Sequence, residues 1–513
     1  MSGLKEAEGL REHGQLADAR RLCEALLRQD EKNPAVLNLL AALAADEGDG
    51  ERGMRLAERA AAADPRSPLP EYTAGRIRQA EGRLGEAETH YRRSLALEPG
   101  QAKAHNNLGC VLQMQGRLAE AIGAFRRALA LDPQLAQANQ NLSAITRDPE
   151  SARNAAAAYR RALEANPHDA EAHCNLGNVY RELGMHREAI ASFADAIRLS
   201  PQYAEAHYSR AEALLLCGEL AEGWREYEWR GQVKGLGTPA RAFAQPLWNG
   251  EPLAGKTLLL HAEQGLGDTI QFVRYARLAA ERCATVLLEC QPQLAGLLRG
   301  VPGVAQVIAR GEPLPQFDAH LPLLSLPRVF GTTVETVPRD GPYLRADPEK
   351  RERWRRELGE GPLHVGLAWA GRPQQWDDRK RSISLSTLAP LATLDGVSFH
   401  SLQWGEAAAQ AVPQEMRLER YGDRIRDFSD MAALVAVVDL VVTVDTSVAH
   451  LAGALGAQTW VLLARAPDWR WLLEREDSPW YPTMRLFRQR SDGDWLDVAT
   501  RVARALREAV RRS

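Results

Sequence analysis

The sequence predicts an all-α helical-repeat solenoid followed by an α/β region of two halves. Three observations carry that reading. Over about residues 1–230, four classes of position recur every 34 residues. From about residue 255, short apolar runs alternate with helical patterns, as in parallel sheets with crossovers. Between these regions, "GQVKGLGTPARAFAQPLWNGEPLAGK" is rich in Gly and Pro, has no period, and reads as a connector.

Composition agrees with a multidomain globular chain. At 513 residues two to four domains are expected. Hydrophobic content of 45% and charged content of 26% allow a full core. Sixty-four Lys and Arg against 67 Asp and Glu give a net charge of −3. That near-balance argues against a nucleic-acid or membrane-surface protein. The six cysteines form no C-x-x-C pair, and four lie in helical patterns. Buried thiols in a reducing compartment are expected. "MSGLKEAEGLREHG" lacks the apolar core of a signal peptide. "LVAVVDLVVTV" is too short to span a bilayer and is broken by Asp439. A cytoplasmic protein with no membrane span is expected.

The repeat is read from its columns. Glycine stands at 14, 48, 82, 116, 184 and 218, with Glu150 in the missing place. Pro65, Pro99, Pro133, Pro167 and Pro201 keep the same step, as do the aromatics Tyr91, Phe125, Tyr159, Phe193 and Tyr227. Ala87, Ala121, Ala155, Ala189 and Gly223 form a small-residue column. Each unit reads as helix–turn–helix. The glycine takes the positive-φ turn after helix A. The aromatic of helix B fills the gap between units, and the proline opens the next helix. These columns resemble tetratricopeptide repeats. The first unit departs, with Pro34 lying 31 residues before Pro65 and Ala57 in the aromatic column. "TRDPESARN" at 146–154 replaces another glycine turn.

Solenoids present a concave face to partners. Asn107, Asn141 and Asn175 form an amide column on helix A, continued by Ser209. Such a ladder can hold an extended peptide, since an amide donates and accepts at once; local bonding is the alternative. His105, His173 and His207 form a second column, read as packing or surface residues rather than metal ligands.

In the second region the strands are read at "TLLLHA", "TVLLEC", "FDAHLPL", "LHVGLAWAG", "VSFHSLQWG", "LVVTVDTS" and "TWVLLA". They fall in two blocks, which reads as two Rossmann-like halves facing a cleft. Open α/β sheets bind ligands at the carboxyl ends of their strands. "GLGDTI" at 265–270 is no dinucleotide fingerprint, because Ile270 stands where the third glycine belongs, and no Gly-Lys-Ser/Thr follows. It reads as a turn that brings backbone close to a ligand, with Asp268 either capping a helix, worth about 1 kcal/mol, or acting chemically. "VTVDTSVAHLAGALG" ends a strand at Asp445 and opens a helix with Thr446 and Ser447, a setting suited to a diphosphate. His450 lies on its first turn. "RKRS" at 379–382 supplies cations after Trp369-Ala370-Gly371, and Trp404-Gly405 stands at a third strand end, where a base can stack. Asp377-Asp378 reads as a solvated polar loop.

Here the second region resembles GT-B glycosyltransferases of the bacterial heptosyltransferase type. The resemblance rests on Gly267-Asp268, Arg381, Trp404-Gly405 and "DTSVAH" at 445–450, and covers about 255–510. Ser447 and Val448 depart from the Gly and Leu typical of that loop. The tail "APDWRWLLEREDSPWYPTMRLFRQ" resembles a branch fused to tetratricopeptide repeats, similar to O-linked N-acetylglucosamine transferases and flagellin glycosyltransferases.

The resemblance implies a tetratricopeptide-repeat solenoid at 1–230, a linker at 231–254, and an α/β GT-B domain of two Rossmann-like halves. The acceptor-side half is expected at 255–345 and the donor half at 346–513. It implies sugar transfer from a nucleotide-sugar donor to a Ser/Thr hydroxyl of a protein or peptide on the concave face, with inversion and with no metal or other cofactor. Asp268 is implied as general base. Gly371, Lys380, Arg381, Trp404, Gly405, Asp445, Thr446, Ser447 and His450 are implied to hold the donor, with Asn107, Asn141 and Asn175 holding peptide. A non-catalytic interaction scaffold and transfer onto a glycan remain the alternatives.

Overall fold

The computed structural model describes residues 2–233, 241, 243–371 and 378–511. It divides into two compact units, 1–201 and 202–513. The boundary thus falls ahead of the 230 expected from the repeat columns.

The first unit is a row of helix pairs. Among the described residues these are Ser2–Glu12 with Leu16–Gln29, Pro34–Asp46 with Gly50–Ala63, Leu69–Ala80 with Leu84–Leu97, Ala102–Met114 with Leu118–Leu131, Ala136–Arg147 with Pro149–Ala165, and Ala170–Glu182 with His186–Leu199. The turn glycines Gly14, Gly48, Gly82, Gly116 and Gly184 have φ of 73° to 85°, the region where a side chain is strained. Where Glu150 breaks the column, the turn shrinks to Asp148, whose carboxylate accepts the Ser151 N–H at 2.8 Å and caps the next helix.

One expectation is corrected, and one is extended. The periodic prolines do not open helix A. They stand in the turn behind helix B, each after a C-cap residue in extended backbone. Asp64, Glu98, Asp132, Asn166 and Ser200 have φ of −136° to −142° and ψ of 85° to 96°. A following proline excludes the α region there, so the helix stops. The aromatics also pack on helix A of their own repeat, besides reaching a neighbouring one, as the Tyr159 hydroxyl does with Ala119 O. A Cβ on Gly75, Gly109 or Gly177 would come within 2.8, 2.6 and 2.7 Å of the Tyr91, Phe125 and Phe193 rings. These glycines are 16 residues before each ring, a column that the turn glycines mask in the sequence.

In the second unit, the helix pair Ala204–Leu216 and Leu220–Tyr227 is packed into the α/β core. Trp224 is fully buried and meets Phe272, Trp469 and Trp480 edge-on, with ring centroids 6.1, 5.2 and 6.3 Å apart. Burying such a ring contributes about 2–3 kcal/mol, which explains why this pair joins the second unit.

Ten strands follow among the described residues: β1 Leu253–His261, β2 Cys283–Cys290, β3 Gln306–Ala309, β4 Ala319–Pro322, β5 Leu363–Ala368, β6 Val397–Ser401, β7 Leu418–Glu419, β8 Leu440–Val444, β9 Thr459–Leu463 and β10 Met484–Arg488. β1 to β4 form one parallel sheet in the order β3-β2-β1-β4. The other six form a second parallel sheet, β10-β9-β8-β5-β6-β7. Numbered within that sheet, the order is 3-2-1-4-5-6, the doubly wound arrangement. The central strand β8, "LVVTV", is buried at every position, as a parallel strand covered on both faces must be. The end of the expected connector is not loose. Trp248 is buried, its N–H donates to His320 O at 2.9 Å, and the His320 N–H donates to Pro246 O at 3.1 Å. Residues 234–240 and 242 of that stretch lie outside the described residues.

All six cysteines are free; Cys23, Cys174 and Cys290 are buried, and Cys110, Cys217 and Cys283 are half-buried. Among the described residues no helix is long and apolar enough to cross a membrane.

Candidate active site

A cavity of about 920 Å³ opens in the second unit. That size suits a small-molecule substrate. It lies where doubly wound sheets open a crevice, at the carboxyl ends of β5 and β8, whose following loops leave on opposite sides. The loop after β1 closes its other side.

That loop begins with Glu263, which is bonded to Arg230 Nε at 2.7 Å; burial raises its carboxyl against the pull of that guanidinium. Asp268 sits in the first turn of the helix Leu266–Phe272, and its Oδ2 accepts the Gly265 N–H at 2.8 Å. Its Oδ1 accepts a charged hydrogen bond from Arg470 Nη2. It therefore both caps the helix and faces the cavity. Gly267 also lines the cavity. A Cβ there would stand 2.9 Å from His450 Cδ2 and 3.5 Å from Ser447 Cα, so the glycine lets this loop lie against a helix of the other half.

β8 delivers Asp445, which is buried. Burial and the nearby Asp468 carboxylate push its carboxyl up to about 6, against the Arg381 guanidinium. Thr446 is the N-cap of Ser447–Ala454, and its hydroxyl accepts the Val448 N–H at 3.3 Å. The helix start, Thr446 and Ser447, lines the cavity, which gives it the character of an anion site. His450 is buried, and its Nδ1 meets the Tyr481 hydroxyl at 2.9 Å. Burial first, then Arg470, Arg274 and Arg381, hold it well below the usual histidine range, so it is neutral.

The loop after β5 is tied to the loop after β6. The Trp369 and Ala370 N–H groups both donate to Gln403 Oε1 at 2.9 Å, and Gln403 Nε2 donates to Ala370 O at 2.9 Å. Gly371 donates to Ser382 Oγ at 2.8 Å. Arg381 Nε lies 3.6 Å from Asp378 Oδ1. Asp378 is buried, which corrects its expected solvation: it starts the short helix Asp378–Arg381 and turns its carboxylate towards Arg381. Asp377 and the Lys380 side chain lie outside the described residues. Trp404 is 41% exposed, borders the cavity, and has its ring 5.6 Å from Phe428.

The cavity thus brings together Asp268, Gly371, Arg381, Trp404, Gly405, Asp445, Thr446, Ser447 and His450. Sequence reasoning missed Gln403, Asp468 and Arg470. The last two follow β9, and the strand-end rule that found Asp445 also points there.

Asn107, Asn141 and Asn175 belong to the first unit. Asn107 Nδ2 donates to Tyr72 at 3.2 Å, and Asn141 Nδ2 donates to Asn106 Oδ1 at 3.2 Å. Asn175 Oδ1 accepts from Arg126 at 3.2 Å. Each amide makes a bond between helices of different repeats. His105 and His173 meet Pro99 O and Pro167 O at 3.0 and 3.2 Å, a packing role.

The helical part is built of tetratricopeptide repeats: residues 4–68 and 72–136 match the Tetratricopeptide repeat family, and 153–184 and 177–218 match the TPR repeat family. Protein FlbA of Caulobacter vibrioides is 29% identical over 328 residues, 59% of this chain and 54% of FlbA. The chain therefore spans about half the length of that curated relative. Among solved structures, MamA is 19% identical over 39% of this chain and 96% of its own, with a TM-score of 0.24. YrrB, described as a TPR protein with an unusual peptide-binding site, is 18% identical over 37% and 97%, with a TM-score of 0.24. PilF of Pseudomonas aeruginosa is 17% identical over 41% and 96%, with a TM-score of 0.28.

Proposed function

We propose that the chain is a GT-B glycosyltransferase that moves a sugar from a nucleotide-sugar donor to a Ser or Thr hydroxyl of a protein held by the repeats. One observation carries the reading. A helix start and Arg381 from one sheet, and Asp268 from the other, face the same cavity at the strand ends. The acceptor oxygen attacks the anomeric carbon, and the bond from that carbon to the phosphate oxygen breaks with its electron pair. The proton passes to Asp268, and the configuration inverts. Arg381, Thr446, Ser447 and the helix dipole stabilise the leaving diphosphate. Trp404 and Gly405 border the nucleoside. The neutral His450 and Asp445 shape the sugar side. The repeats recruit the polypeptide.

The test is donor binding and hydrolysis by the full chain across UDP-, GDP-, dTDP-, ADP- and CMP-linked sugars. Arg381→Ala is expected to lose donor binding, and Asp268→Ala to bind donor but lose turnover. No binding of any of these donors overturns the reading.

A further inference from the structure

Arg470 lines the cavity, and the sequence reading assigned it no role. It follows β9 in the C-terminal sheet and is 7% exposed. Its three kinds of nitrogen have different partners. Nε donates to Gln271 Oε1 at 2.8 Å, Nη1 donates to Asp468 Oδ1 at 2.9 Å, and Nη2 donates to Asp268 Oδ1. The guanidinium lies over the Trp469 ring at 4.0 Å. Gln271 and Asp268 belong to the helix after β1; Asp468 and Trp469 belong to the loop after β9. One planar fork thus joins the working edges of both sheets. A lysine has no such fork.

We propose that Arg470 is the positioning residue for Asp268, fixing its carboxylate at the acceptor side only while the loops after β1 and β9 are in register. This rests on the transferase reading and adds to it. With one oxygen held by the Gly265 N–H and the other by Arg470, the carboxylate cannot rotate, and its remaining lone pairs keep fixed directions. Arg470 also stands between two carboxylates, Asp268 and Asp468. When Asp268 takes the acceptor proton, the net charge of this triad goes from −1 to 0, and Asp468 keeps the guanidinium paired throughout.

The test compares full-length wild type with Arg470→Ala and Arg470→Lys, using hydrolysis of the same five nucleotide-sugar classes. Misplacing a catalytic group by about 1 Å costs about 100-fold. Arg470→Ala is therefore expected to lose about 100-fold in kcat with donor KM unchanged, and to recover part of it in millimolar methylguanidinium. Arg470→Lys is expected to lose about 10-fold. A rise in donor KM at constant kcat, or a loss of kcat that methylguanidinium leaves unrepaired while the variant melts like wild type, overturns the positioning role. If Arg470→Ala fails to fold, Arg470→Lys decides by the same split between kcat and KM. Absence of turnover by wild type across all five classes overturns the transferase reading instead, so the two failures are distinct.

Discussion

The clearest test of the site is Asp445→Asn, because the structure implies that this substitution stabilises the protein. Asp445 is buried at the end of β8, and burial with Asp468 lifts its carboxyl from 3.8 to about 6. The raised value means that folding disfavours the ionised form. The wild type thus has its full share of stability from this group below about pH 4. It loses that share as pH rises through 6. A shift of about two units, at 1.36 kcal/mol each, makes the loss about 3 kcal/mol at pH 8. The asparagine has the same shape and no charge. Urea unfolding of both proteins from pH 4 to 8 is the assay. The variant's advantage is expected to grow by about 2–3 kcal/mol across that range, mostly between pH 4 and 6 with its midpoint near pH 5, while donor turnover is lost. His450, held neutral by burial, acts in both proteins and largely cancels in the difference. A flat difference between the two curves, or a variant less stable at pH 8, refutes the reasoning.

Two further substitutions test the packing. Gly109→Ala brings a Cβ within 2.6 Å of the Phe125 ring. The usual helix gain of about 1 kcal/mol is expected to be outweighed by 1–3 kcal/mol of overpacking, seen as a lower Tm. Gly371→Ala places a Cβ 2.3 Å from Asp378 Oδ1 and 3.1 Å from Arg381 Nη2. It is expected to weaken donor binding about tenfold by displacing Arg381 and to lower Tm by the same overpacking; calorimetric titration of the donor measures the binding.

The repeats were legible because each column has one local cause, such as a positive φ at Gly116 or a helix stop before Pro133. The strands were legible where they are buried on both faces, as in β8. β7 has only two residues, and β10 carries Arg485 and Arg488, so neither shows a continuous apolar run. Asp268, Arg381 and Asp445 could be found because strand ends concentrate function. The partner of Asp268 could not. Arg470 stands 202 residues away, in the tail "APDWRWLL" that follows β9. Local pattern gives the position of a charged residue along an element; it does not say which charge from another sheet will face it.

The two halves of the cavity solve one problem in the same way. A functional side chain at a strand end needs room against the opposing backbone. At Gly267 that room is taken by the edge of His450, and at Gly371 by Asp378 and Arg381. Neither glycine has the positive φ that would require it for a turn. Their missing Cβ atoms therefore allow close approach of protein to protein. The glycine-rich loop after β1 packs against His450 and Ser447 while lining the cavity. The helix start with Thr446 and Ser447 follows β8, which pairs with β5 in the other sheet.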